Sequence, residues 1–384
     1  MKERIFQEGT FGYDLDFLSR HDNVIVLTAK DPDVRVIVSA KYQAKVFTST
    51  AEGEDGRSFG WVNYKAFSGA VDAHMNAYGG ENRFWLGPEG GPFSIFFKPG
   101  DEMVFENWKT PAAVDTEAWT VVSRSGDEVR FWKDMVLTNY RGTVLKLLAD
   151  RRVKILERGV IATRLGLELT DAVRVVGYDT DNSITNKGDA AWTEASGVPC
   201  IWMLDMFRPS PQTVVVVPFK AGKGDAFEKI VTSNYFGEIG ADRLKHDDGA
   251  VFFKADGRSR GKLGIRPENA KTVAGSYDAG GKVLTIVVFE MDGGARYLNQ
   301  EWSVGKPPFL GDAVNAYNDG PLDDGSQMGP FYEIESVSPA AFLAPGEKMT
   351  HAHAVFHFTG EESGLDVIAR KLLGSSLADI KNKF

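Results

Sequence analysis

An all-β fold, built as a large antiparallel β-sandwich with a few short helices, is what this sequence predicts, and three observations predict it. Short apolar or alternating runs recur along all 384 residues, aromatic side chains make up 11 % of the chain, and 41 glycines punctuate it. Regular helical periods do not separate the runs, so successive strands pair as antiparallel neighbours instead of crossing over through helices. So many strands cannot remain in one open sheet, and they must pack as two sheets face to face or close. With 43 % hydrophobic and 25 % charged residues the chain can bury an ordinary core, and disorder is not expected.

The elements follow in order. Tyr13, Phe17 and Leu18 share one face of a first short helix. Val24–Leu27 and Val34–Val38 flank an Asp-Pro turn and read as a strand pair, which Lys45–Thr50 continues before a loop over residues 51–60. Phe93–Phe97 reads as a strand. Trp119–Val122 and Val129–Trp132 flank SRSGDE, a hairpin with glycine at its turn. Further strands are expected at Thr143–Leu148, Val153–Leu156, Val173–Val176, Cys200–Leu204, Val214–Phe219, Val251–Phe253, Val283–Phe289 and Ala352–Phe358, with the Val214–Val217 run buried on both faces. An amphipathic helix is expected where Phe227, Ile230, Val231 and Tyr235 fall at helical spacing. Leu365, Ile368 and Leu372 align on a C-terminal helix that Gly374 breaks. Without a repeat or a Pro/Ser-rich linker, the expectation is a single domain over residues 1–384 with a helical tail at about 362–384.

Composition narrows the partners. A net charge of −9 repels phosphate backbones and argues against nucleic acid, while it suits a small neutral molecule. No apolar run reaches the length of a membrane span. The N-terminus as given lacks the apolar core of a signal peptide, which fits the cytoplasm, or the periplasm had a leader been removed. Cys200, the single cysteine, sits in an apolar run and reads as a buried inert thiol. Nucleotide, zinc-protease, serine-hydrolase and dinucleotide fingerprints are all missing, so no cofactor and no metal is expected.

Four clusters hold residues that could do chemistry. Asn76–Phe97 places Glu81, Arg83, Trp85 and Glu89 among glycines and prolines. Carboxylate, guanidinium and indole groups on such turns suit a sugar, whose hydroxyls take hydrogen bonds and whose C–H face stacks on a ring. The same residues would equally serve as a structural Arg–Glu pair with Trp85 in the core. In an extended Tyr332–Ser336, Glu333 and Glu335 share one face, where they are either solvated or line a pocket that raises a carboxyl for acid–base work. His351, His353 and His357 share a face of the last strand, as general acids, metal ligands or an outer polar face. His74 is a second candidate acid, and His21 and His246 read as surface residues. Tyr297–Pro321 gathers Asn299, Glu301, Trp302, Asp312, Asn315, Asn318 and Asp319, which either contact a ligand or make turns.

The series YQAKVFTST, SFGWVNY, GGENRFWLGPEGGPFSIFF, YFG, GSYD, YNDGP and GPFYEIESVSPA resembles a bacterial, Bacteroidetes-type family of unknown function. That family is placed with the galactose mutarotase-like, aldose 1-epimerase-like β-supersandwich proteins. The resemblance runs from about Phe11 to about Ile380. It implies a concave sheet face that holds a sugar or oligosaccharide, and in the epimerases a late glutamate and a histidine exchange protons with the anomeric hydroxyl and the ring oxygen. Their late pattern, Glu-x-Gln, a proline, then Leu-x-Pro-Gly-Glu, is similar to Glu333-Ile334-Glu335, Pro339 and Leu343–Glu347 here. By that likeness Glu333 is the base and Glu335 stands in the glutamine's place; the candidate acids, His74 and His353, come from the residues themselves, the one too early and the other too late for the epimerases' motif. Lys45 or Arg83 stands for the early substrate arginine; read from the residues themselves, Trp85, Glu81, Glu89, Glu335, Asn318 and His351 are the further candidate substrate contacts. The epimerases' mid-chain His-x-Tyr-Phe-Asn has no counterpart, which leaves a non-catalytic sugar-binding protein as the alternative and an oligosaccharide lyase or hydrolase behind both.

Overall fold

In the computed structural model, which describes residues 4–220 and 226–384, two antiparallel sheets face each other and a small third sheet packs against their core. The larger sheet has ten strands in the order Leu244–His246, Ala250–Lys254, Thr213–Pro218, Val273–Asp278, Val283–Phe289, Lys348–Gly360, Val173–Asn186, Val144–Ile155, Glu128–Thr138 and Thr120–Arg124. The smaller has six, in the order Val231–Thr232, Gly261–Ile265, Val314–Asn318, Tyr332–Val337, Cys200–Phe207 and Arg83–Gly87. Ile25–Thr28, Arg35–Ser39 and Lys45–Thr50 form the three-stranded sheet, against which the Phe11–Ser19 helix packs. Among the described residues no helix is long and apolar enough to cross a membrane.

Alternation along the strands explains the layering. Phe84, Leu86, Ile201, Met203, Leu263, Ala316 and Ile334 of the smaller sheet meet Val176, Tyr178, Val215, Val217 and Val355 of the larger in one apolar core. On the far face of the larger sheet, Val175, Val216, Ile286, Ala354, Phe356 and Phe358 pack under the helices Arg158–Leu165, Glu362–Leu373 and Leu377–Lys381. The Thr213–Pro218 strand is therefore buried on both sides along its whole length. Glu362–Leu373 ends where Gly374 takes a left-handed conformation (φ +73°), a C-cap that glycine adopts without a Cβ clash.

Several expectations are corrected. Phe93–Phe97 is not a strand: Phe93, Ile95, Phe96 and Phe97 are all buried, and the Ser94 hydroxyl donates to the Glu89 carbonyl, so the segment folds as an irregular core loop. The helix around Phe227 stops at Ile230, and Val231–Thr232 pairs as an edge strand. The runs at residues 143–148 and 153–156 are one strand, Val144–Ile155. Gly261–Ile265 is a strand that glycine content concealed; a Cβ at Gly264 would lie 2.2 Å from the Asp312 carboxylate, so a larger residue there would displace the buried Asp312 side chain. The histidine face of the last strand does not look outward. It points into the space between the sheets, and His351, His353 and His357 are buried.

Candidate functional site

The open face of the six-stranded sheet carries the side chains of opposite parity to its core face. Register sets them in rows: Lys262 opposite Tyr317, Tyr317 opposite Glu333, Glu333 opposite Met206; then Glu335 opposite Leu204, Leu204 opposite Arg83; and Trp202 opposite Trp85. These residues floor a cavity of about 120 Å3. Loops wall it with Met75, Glu89, Phe105, Trp108, Phe236, Arg260, Trp302, Met328 and Phe331. Trp85, Trp108, Trp202 and Trp302, half of the chain's 8 tryptophans, therefore meet in one place.

Two close approaches of backbone put the walls there. The Gly90 N–H donates to the Gln300 carbonyl at 3.1 Å, and a Cβ at Gly90 would lie 2.2 Å from the Glu301 carbonyl, so only glycine lets these loops touch. The contact brings Trp302 beside Trp108, ring centroids 6.0 Å apart and 25° from parallel. Gly79, at φ +84°, lies with its ideal Cβ position 2.1 Å from the Trp61 carbonyl and turns the chain into the Arg83–Gly87 strand.

The floor is charged and largely buried. Arg83 pairs with Glu333, and its guanidinium lies 5.0 Å from the Trp85 ring centre. Glu335 accepts from Lys262 Nζ at 2.8 Å and from the Trp202 indole N–H at 2.9 Å. Burial pushes the Glu333 carboxyl up to about 8, helped by Glu335, while Arg83 and Lys262 oppose the rise. Burial also raises Glu89, against the opposing pull of Lys262. For Lys262 burial acts downward, but Glu335 and Glu89 outweigh it and the ammonium is held above its ordinary value. Three buried polar atoms of cavity residues have no partner: Arg83 Nε, Glu335 Oε1 and Trp108 Nε1. Buried polar atoms are almost always satisfied, so three orphans in one cavity point to a hydrogen-bonding ligand or solvent.

Of the residues singled out in the sequence, Arg83, Trp85, Glu89, Glu333, Glu335 and Trp302 come together here. The others do not line the cavity. His74 lies behind its wall, 2.7 Å from the Trp108 carbonyl through Nδ1 and stacked on Phe105 at 4.6 Å. His353 sits between the sheets, with Nε2 2.8 Å from Asp205 Oδ2 and Nδ1 2.8 Å from Ser336 Oγ; His351 Nε2 reaches the same hydroxyl. Burial, and then His353, push His351 down to about 3. Glu81 is buried against Ser49 and His357. Lys45 donates to the Gly79 carbonyl at 3.0 Å, and burial, with Arg83 adding, lowers its ammonium to about 7. Asn318 clamps a loop, accepting from Gly257 N–H and donating to the Ser259 carbonyl, each at 2.8 Å. Trp202, Lys262, Tyr317, Trp108 and Arg260 were not singled out. Strand parity with Glu333 and Glu335 would have found the first three; the loop residues leave no such signal.

A model of a family of unknown function, DUF6786, matches residues 9–384. No curated protein matches the chain closely enough to count as a relative. Among solved structures, an aldose 1-epimerase candidate from Escherichia coli K12 superposes with a TM-score of 0.50 at 13 % identity, over 87 % of this chain and 98 % of that one. A protein from Synechocystis sp. PCC 6803 does so with a TM-score of 0.50 at 13 % identity, over 88 % and 96 %. At such identities the likeness is one of fold, and the fold is the galactose mutarotase-like β-sandwich.

Proposed function

We propose, for a chain that belongs to the family of unknown function DUF6786 and has the galactose mutarotase-like sandwich, that the cleft on the open face of the six-stranded sheet binds a saccharide. The observation that carries this reading is the meeting of four indoles with three unpartnered buried polar atoms in one cavity. Indole faces take the apolar side of a sugar ring, and Arg83, Glu335 and Trp108 offer donors and an acceptor to its hydroxyls. The fold shared with an aldose 1-epimerase candidate supports the same ligand class. A screen of free sugars by thermal shift and by NMR of the tryptophan indole protons tests it. The expected result is saturable binding that Trp302→Ala weakens; a panel of neutral and acidic sugars with no binder would overturn the reading.

A second reading, an epimerase-like proton transfer at the anomeric carbon, is favoured by Glu333. A carboxyl that burial holds up to about 8 can both give and take a proton near neutral pH. No imidazole lines the cavity, so the partner group on this reading is the raised Glu89 carboxyl and not His74 or His353. One-dimensional NMR of anomer exchange tests it. Wild-type protein should accelerate exchange and Glu333→Gln should not; exchange retained in that variant excludes Glu333 from the chemistry.

A further inference from the structure

Resting on the saccharide reading, we infer that the preferred ligand is a sugar bearing an anionic substituent, a carboxylate or a phosphate, which Arg260 receives at the mouth of the cleft. Three cations and three carboxylates belong to the cavity: Arg83, Arg260 and Lys262 against Glu89, Glu333 and Glu335. Arg83 is paired with Glu333 and Lys262 with Glu335. Among the described residues Arg260 forms no ion pair, and the third carboxylate, Glu89, does not come within ion-pair distance of it. Arg260 is thus the one cavity cation that no carboxylate holds, and it presents its positive charge at the mouth.

Arg260 is exposed yet held. Its guanidinium lies 3.9 Å from the centre of the Phe236 ring, and Asn318 clamps the backbone just before it through Gly257 and Ser259. Two residues on, Lys262 points to the same face of the strand, so the two cations stand in line from the mouth inward. The rest of the molecule carries the opposite sign, with a net charge of −9. A free guanidinium at the cleft's mouth attracts an anionic substituent locally, against the net charge of the whole protein. A guanidinium fork also matches carboxylate and phosphate oxygens in pairs.

Calorimetric titration of the full chain with D-galactose, D-galacturonate and D-galactose 6-phosphate at low and high salt tests the inference. At least one acidic sugar should bind about tenfold or more tighter than galactose, with an advantage that salt erodes. Which of the two wins separates carboxylate from phosphate. In Arg260→Gln the acidic-to-neutral ratio should fall toward one, and Arg260→Lys should restore part of it. Equal affinities for charged and neutral sugars in the wild type, or a ratio that Arg260→Gln leaves unchanged, would overturn the inference while the saccharide reading stands. If none of the three sugars, nor any in the wider panel, binds, both fall together.

Discussion

Tyr332–Val337 faces two polar environments, one on each side of its sheet, and their difference separates structure from function. On the core side, Ser336 joins a chain of buried groups in which Arg151 holds Asn182 and Asn82, Asn82 donates to Asp205, and Asp205 meets His353. None of these side-chain polar atoms is left without a partner. On the open side, Glu335 lies one residue from Ser336 in sequence and Glu333 three, and the surrounding cavity keeps three orphans. A satisfied buried network fixes how two sheets sit together, whereas an unsatisfied one is finished by something that binds. His351 and His353 belong to the first kind, and so His353, a candidate acid in the sequence, is held here between the layers by Asp205 and Ser336.

Substitutions on the two sides should therefore fail differently. The largest effect is expected for Asp205→Ala, which removes the acceptor of Asn82 and His353. Two buried hydrogen bonds to a charged group, at about 1.5–3 kcal/mol each, predict a loss of about 3–6 kcal/mol in denaturant unfolding. A loss below 1 kcal/mol would dissolve the distinction.

Glu333→Gln should do the reverse. The amide imitates the protonated carboxyl, so stability near pH 7 should move by less than about 1 kcal/mol, while anomer exchange falls to the uncatalysed rate because the amide cannot take a proton. The same variant isolates a pH effect. A carboxyl whose folded pKa is raised from 4.5 to about 8 binds its proton more tightly in the native state, so its stabilising contribution is full below about 4.5 and is lost as pH rises through about 8. Wild-type stability should thus fall more steeply between about pH 4.5 and pH 8, a window set by those two values, than that of Glu333→Gln. Parallel curves would show that Glu333 is not raised by its site.

Smaller effects sharpen the cleft's outline. Trp302→Ala should weaken sugar binding by about 0.5–1.5 kcal/mol, the scale of a lost ring contact, with little change in melting temperature. His74→Gln should change affinity less than about twofold, because the imidazole backs the Phe105 wall and does not reach the cavity. A larger loss in titration would return His74 to the site.

What could be read from sequence follows strand period. Two-residue alternation put Glu333 and Glu335 on one face and assigned His351, His353 and His357 to a common face, and both pairings hold. Alternation cannot say which face looks inward. On the last strand, residues 354, 356 and 358 are apolar because helices cover that side, so the polar face is the one that enters the sandwich. Continuous apolarity misled at Phe93–Phe97, where burial from all sides needs no strand. Arg260 and Phe236 come from separate loops whose meeting no local pattern encodes, and Asn318, expected at the ligand, instead holds the loop that carries Arg260.

A crystal structure of the protein with a bound sugar examines the central claim most directly. The account predicts a pyranose over the open face of the six-stranded sheet, its ring against the Trp85–Trp202 indoles and its hydroxyls within hydrogen-bonding distance of Arg83 Nε, Glu335 Oε1 or Trp108 Nε1. A sugar held anywhere else on the molecule, or those three atoms satisfied by neighbouring side chains alone, would contradict it.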